Sequence, residues 1–348
     1  MHSALQQLET DIHELSATRR IAGLAIGIIQ ANTLAYANAF GVQNIETGAP
    51  LTRRSLFSTC SVSKTIVGTA IMQLIEQGKV QLSVPVVHYI PYFKLDDRRD
   101  KEITIQQMLT HVSGMRSEEH ASEFAWDNPE YDDEALERHV RSLAKHKLVS
   151  APGERFAYCN FAFNVLAEVI AKVSGLLFEQ YVRAQIFSPL QMPMSTMLFN
   201  DVDVRYRAEP HLGEELTTLH SVYPYNRPHA ACASLISNIN ELCRWALVHL
   251  NRGELDGVRI LRPESYPIMW QPYVQSSATE HRGLGWVHFN HNGTPAIGHD
   301  SWDTGFGATF WLFPAQRAAA IVLSNKDFGL FDLYALAGRV SDIALGIE

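Results

Sequence analysis

The chain has 348 residues, 46% hydrophobic and 19% charged, enough to bury a large core in one or two domains and too apolar for a disordered chain. A net charge of −8 with no basic stripe argues against a nucleic-acid partner. The longest apolar stretch, IAGLAIGII at 21–29, is too short to cross a bilayer, so no membrane association is expected.

The first fifteen residues lack the basic start and hydrophobic core of a signal peptide, and a cytoplasmic location is expected. They place Leu5, Leu8, Ile12 and Leu15 on one side of a short amphipathic helix. Residues 21–30 and 33–40 read as two strands joined by a turn at Ala31-Asn32, followed by the loop GVQNIETGAPLT. Then comes FSTCSVSKTI at 57–66, with Ser61 three positions before Lys64, one of eight lysines. The run after it sets Ile66, Val67, Ala70, Ile71, Leu74 and Ile75 at helical spacing and stops at Gly78. That spacing predicts Ser61 and Lys64 on the first turn of a helix, one turn apart and on one side.

LSVPVVHYIPYF (82–93) is a proline-broken connection, and ITIQQMLTHVSGM (103–115) a short helix capped near Thr104 and ended by Gly114. Residues 116–133 are charged and aromatic and read as a surface loop over a site. Helical patterns cover 134–146 and 161–174, the second entered through the turn APGERFAYCN. Residues 183–230 have poor periodicity, and 237–253 form a helix with Asn238 or Asn240 as its N-cap. Strands return in RGLGWVHFN, TPAIGHDS, GATFWLF and AAAIVLSN, and a last helix covers 329–345. This order lacks the strand–helix alternation of a doubly wound sheet. It fits a three-layer α+β fold: an antiparallel β-sheet flanked by helices, with an inserted mainly helical domain. The expected boundaries are 1–60 and 231–348 for the sheet domain and 61–230 for the helical one, with the active site between them.

Cys60, Cys159, Cys232 and Cys243 have no metal-site spacing and read as free buried thiols. His111, Glu119 and His120 form no zinc motif. No metal and no cofactor are expected.

A serine hydroxyl becomes a nucleophile when a base takes its proton, and a lysine does this when neutral. A helix N-terminus adds unpaired N–H groups and partial positive charge for an oxyanion. The spacing by itself is weak: Ser142 and Lys145 share it on a charged helix, where a solvated face explains them.

The wider context resembles the serine β-lactamase and penicillin-binding-protein superfamily, in its class C-like branch with the family VIII carboxylesterases. The segments that carry the likeness, in order, are GVQNIETGAPLT with FSTCSVSKTI, ITIQQMLTHVSGM, APGERFAYCNFAFNVLAEVIAKVSG, RGLGW, AIGHDSWDTGFGATFWLFP and IVLSN. The resemblance implies that Tyr158-Cys159-Asn160 is the second motif. Tyr158 then assists Ser61 in acylation and activates water for deacylation, and Asn160 offers its amide to substrate and lysine. Tyr36-Ala37-Asn38 has the same pattern but precedes the nucleophile in a strand and is set aside. His299-Asp300-Ser301 stands where the family has Lys or His, a variable residue and Gly. A side chain at Ser301 would crowd the strand against the Ser61 helix or reshape the substrate slot. Asp303-Thr304-Gly305 is a rival register whose acid would repel an anionic substrate. The backbone N–H groups of Ser61 and Trp302 would form the oxyanion hole.

A histidine in place of lysine removes a fixed positive charge at neutral pH. The expectation is therefore a serine hydrolase acting on a small-molecule acyl substrate, foremost a carboxylesterase on small uncharged esters. A D-stereospecific amidase or peptidase follows, then a β-lactamase; a non-catalytic binding module of the same fold stays open. Trp126, Trp302, Phe306 and Trp311 are candidates for an apolar pocket, though core packing is the expected fate of Trp311. A monomer or homodimer is expected.

Overall fold

The structure is a computed structural model that describes residues 2–18, 21–116, 124–213, 216–219, 222–326 and 330–347. One antiparallel sheet of nine strands organises it. The chain start supplies β1 (Gly23–Gln30), β2 (Thr33–Asn44) and β3 (Ala49–Pro50). The chain end supplies β4 (Val274–Gln275), β5 (His281–Arg282), β6 (Val287–His291), β7 (Thr294–Asp303), β8 (Phe306–Phe313) and β9 (Ala318–Ser324). Their order is β4-β5-β6-β7-β8-β9-β1-β2-β3, so the two ends meet where β1 pairs with β9, Ile26 opposite Val322. The β1–β2 turn falls at Ala31 and Asn32, both at positive φ (49° and 60°), as a tight two-residue hairpin requires.

The α-helices among the described residues are α1 (His2–Ala17), α2 (Ser63–Glu76), α3 (Ile105–Leu109), α4 (Ala135–Ser142), α5 (Asn160–Ser174), α6 (Phe178–Val182), α7 (Ala230–Ala233), α8 (Ile239–Leu250), α9 (Ser265–Met269) and α10 (Leu330–Leu345). Strand side chains alternate between faces, and each face has its own core. Leu24, Ile26, Ile28, Trp311, Phe313, Ala320 and Val322 pack outward against Leu8 and Ile12 of α1 and Leu336 and Val340 of α10. Ala25, Ile29, Phe310, Leu312, Ile321 and Leu323 pack inward with α2, α5 and α8. These are the three layers of an α+β fold. Among the described residues no single helix is long and apolar enough to cross a membrane.

Two helix boundaries near Ser61 and His111 differ from the sequence expectation. α2 begins at Ser63, so Ser61 lies in the turn ahead of the helix rather than on its first turn. α3 starts on a Thr104–Gln107 capping box but stops at Leu109, not near Gly114. His111, two residues past the end of α3, takes φ 59° and turns the chain away. α2 is buried from Ser63 to Leu74. Its Gly68 sits so close to the Leu284–Gly285 turn that a Cβ would fall 2.3 Å from Leu284 O. This backbone-to-backbone contact sets the distance between α2 and the loop joining β5 to β6.

Candidate active site

The Ser61 segment is held as an edge before it becomes a helix. Phe57–Ser58 pair with Ile236–Ser237, and Thr59 N donates to Leu235 O at 2.8 Å. Ser63 Oγ accepts from Leu235 N at 2.8 Å and donates to Cys60 O at 2.6 Å. Between these anchors Cys60 takes φ 50°, a left-handed conformation that costs a non-glycine residue roughly 1–3 kcal/mol and recurs at functional sites. Val62 N, Ser63 N and Lys64 N each bond the carbonyl three residues back, a tight turn that leads into α2. Among the described residues no protein acceptor takes the Ser61 N–H, so it is available to an oxyanion.

The three side chains of the two motifs meet here. Lys64 Nζ donates to Ser61 Oγ at 2.9 Å, to Asn160 Oδ1 at 2.8 Å and to Cys232 O at 2.6 Å. Tyr158 OH donates to Ser61 Oγ at 2.9 Å. Lys64 is fully buried, yet all three acceptors are uncharged. Its ammonium also lies 4.9 Å from the centre of the Tyr158 ring and 5.4 Å from that of Phe163. A hydroxyl flanked by an amine and a phenol, each within proton-transfer reach, is the arrangement an activated serine needs.

His111 holds Tyr158 in place. Its ring stacks on the tyrosine at 4.4 Å and 22°, its carbonyl accepts from Ala157 N at 2.8 Å, and its Nδ1 accepts from Cys159 N at 3.0 Å. Accepting at Nδ1 places the proton of the neutral ring on Nε2. Burial, then the positive charges of Arg282 and Lys64, hold this imidazole well below the usual histidine range.

β7 brings the third group. β6 pairs it only as far as Gly298, so no strand of the sheet covers that edge from His299 to Asp303. His299 is buried, and its Nδ1 donates to Asp300 O at 2.8 Å. Burial and the charges of Lys64 and Arg282 push its pKa well down, so the ring is neutral near pH 7. The crowding expected at Ser301 does not arise, because its hydroxyl donates to Thr59 O at 2.9 Å and ties β7 to the nucleophile segment. The rival register falls in the turn between β7 and β8, where Gly305 has φ 74°.

The apolar pocket expectation needs correction. Phe306 is fully buried core, and Trp311 faces outward, its Nε1 on the Asp300 carboxyl. Trp302 is 56% exposed, at the rim. Trp126 is buried and reaches the end of β7. Tyr36 donates to Glu9 of α1 at 2.7 Å, on the outer face and away from Ser61. Ser142 is exposed and bonds His139 O. Glu119 and His120 lie outside the described residues. Among the described residues no group of three or more His, Cys, Asp or Glu side chains could hold a metal ion.

Sequence reasoning missed three participants. The Cys232 carbonyl is a backbone atom of the one-turn helix α7, and side-chain patterns do not reveal it. His111 enters the site through a left-handed turn. Arg282, which acts electrostatically on both histidines, lies 5.3 Å from the Phe156 ring and is matched by Glu280 at 2.8 Å. Only the tertiary pairing of β5 with β6 reveals it.

The sequence matches the Beta-lactamase family over residues 8–345. It is 27% identical over 329 residues to Penicillin-binding protein 4 of Amycolatopsis lactamdurans, covering 89% of this chain and 82% of that one. It is 24% identical over 323 residues to Protein flp of Staphylococcus aureus (strain MW2), covering 92% of this chain but 63% of that longer relative. Among solved structures, the octameric penicillin-binding protein homologue from Pyrococcus abyssi superposes with a TM-score of 0.86 at 26% identity, over 98% of this chain and 77% of that one. EstCE1, a hydrolase with promiscuous acyltransferase activity, superposes with a TM-score of 0.82 at 21% identity, over 99% and 98%, a likeness of fold.

Proposed function

The chain belongs to the Beta-lactamase family, and on that premise we propose that it is a serine hydrolase that works through an acyl-enzyme on Ser61, with small carboxylic esters as its substrates. The observation that carries this reading is the shared hydrogen bonding of Ser61 Oγ with Lys64 Nζ and Tyr158 OH.

In acylation, Ser61 Oγ attacks the ester carbonyl as its proton passes to the Lys64–Tyr158 pair. The oxyanion is held by the N–H groups of Ser61 and Trp302, each such donor contributing about 3 kcal/mol. The alkoxide leaves with a proton returned through Tyr158. Water then gives a proton to the same pair and attacks the acyl carbon, and the carboxylic acid departs as Ser61 Oγ regains its hydrogen. Lys64 fixes the pair through Asn160 and the Cys232 carbonyl.

The charge pattern favours substrates without a free carboxylate. His299 is neutral, Arg282 is matched by Glu280, and Lys64 is committed to its three acceptors. The penicillin-binding relative supports a second reading, an amidase or peptidase for D-amino-acid substrates, with β-lactam hydrolysis third. A panel of a nitrophenyl butyrate ester, a D-alanine anilide and a chromogenic cephalosporin separates the three. The ester is expected to turn over fastest. A fluorophosphonate probe that fails to label Ser61 would instead identify a binding module.

A further inference from the structure

Along β7, alternate side chains face the nucleophile: His299, Ser301 and Asp303. Ser301 bonds Thr59 O on that side and His299 bonds the carbonyl of its own neighbour Asp300, whereas Asp303 has an unusual set. It ends the strand, one position past the Trp302 N–H assigned to the oxyanion. Trp126 Nε1 donates to its Oδ1 at 3.2 Å, and Thr304 N donates to the same oxygen at 2.6 Å. The Thr304 hydroxyl is a further donor. All of these donors are neutral. Among the described residues no Lys, Arg or His lies within ion-pair distance of this carboxyl.

The charge of Asp303 is nonetheless felt at the reacting centre. Burial raises the thiol pKa of Cys60, the residue before Ser61, and of Cys232, whose carbonyl holds Lys64, and the Asp303 charge adds to both rises. Burial raises the pKa of Asp303 itself, and the Lys64 charge opposes that rise. A partly buried carboxylate with only neutral partners is incompletely compensated, and an incoming cation would complete it. The wall beside it is aromatic: Trp126 and Phe124 stack at 4.7 Å and 9°. A carboxylate next to aromatic rings is the chemistry that recognises an organic ammonium group.

We propose that Asp303, with Trp126 beside it, determines specificity by binding an ammonium group on the acyl part of the substrate, so that cationic acyl esters react in preference to neutral isosteres. This refines the uncharged acyl chain expected from the sequence, and it rests on the acyl-enzyme reading of Ser61. The ammonium takes part only in binding; the covalent steps are those given above.

The test compares two nitrophenyl esters of one shape, of 4-(trimethylammonio)butanoic acid and of 5,5-dimethylhexanoic acid. Wild type is expected to favour the cationic ester by about tenfold or more in kcat/KM, and Asp303→Asn to reduce that ratio by about tenfold. Asp303→Glu, which keeps the charge, is expected to retain part of the preference. Equal turnover of the two esters by wild type would overturn the proposal without needing any variant to fold, and so would an unaltered ratio in Asp303→Asn. In either case labelling of Ser61 by a fluorophosphonate would leave the acyl-enzyme reading standing; loss of that labelling together with both activities would overturn both.

Discussion

At the scale of single residues, the site divides proton handling from support. Tyr158 touches Ser61 Oγ directly, so Tyr158→Phe removes the proposed proton carrier while keeping the ring that stacks on His111. Steady-state kinetics on the ester are expected to show kcat reduced about 10²–10⁴-fold, with the melting temperature nearly unmoved. His111 acts one step back. His111→Phe preserves a ring against Tyr158 but leaves the Cys159 N–H without its acceptor, a buried loss of about 1–3 kcal/mol. Its expected signature is a lower melting temperature together with a smaller fall in kcat than Tyr158→Phe, and KM altered little. An unchanged melting temperature would remove His111 from the supporting role.

The elements explain what could be read from the chain. Ser61 with Lys64 is a local pattern at a helix entry that spacing displays but does not single out, and Tyr158 with Asn160 becomes legible only through the family resemblance. The β1–β2 hairpin is equally local, since Ala31 and Asn32 supply the turn. The end of α3 is not, because His111 adopts its left-handed conformation against APGERFAYCN, a contact between distant segments. Ser301 shows the same limit from the other side. Its hydroxyl reads as a steric departure from glycine until its Thr59 acceptor is in view. The packing of α2 likewise rests on a glycine whose neighbour is more than two hundred residues away. Gly68→Ala would drive a methyl into the Leu284 carbonyl, and chemical denaturation is expected to show a loss of about 1–3 kcal/mol. Activity is expected to fall with it, since α2 carries Lys64. A fully stable Gly68→Ala variant would show that α2 and the β5–β6 loop can separate at no cost.

Over the whole molecule, the α+β class is legible because strands at both chain ends enclose helical segments; which strands neighbour one another depends on long-range pairing that periodicity does not encode. Burial across the inner layers also predicts a pH response. His139 is pushed down to about 4 and His249 to about 3, with burial the leading cause. His111, His229 and His299 are also held well below the ordinary value. The unfolded chain protonates these rings near pH 6.5 while the fold keeps them neutral. Below that pH the unfolded state binds more protons, so stability falls as pH drops toward 4 and is recovered above about 7. Asp300, pushed up to about 7 by burial, has the opposite sign: between about 4 and 7 the fold keeps a proton that the unfolded chain has lost, so this group's contribution to stability falls as pH rises through that window. Asp303 is raised like Asp300, while His211 and His288 are lowered like the other five histidines, so two carboxyls stand against seven rings and the histidines dominate. Thermal melts are expected to give a clearly lower midpoint at pH 5 than at pH 7.5, and equal midpoints would contradict this assignment.

The most direct measurement is the mass of the enzyme quenched in acid during turnover of a nitrophenyl ester. A single acyl increment on the peptide that contains Ser61, absent from Ser61→Ala, is the predicted result. An unmodified Ser61 peptide under turnover, or an acyl group mapped to another side chain, would contradict the account at its centre.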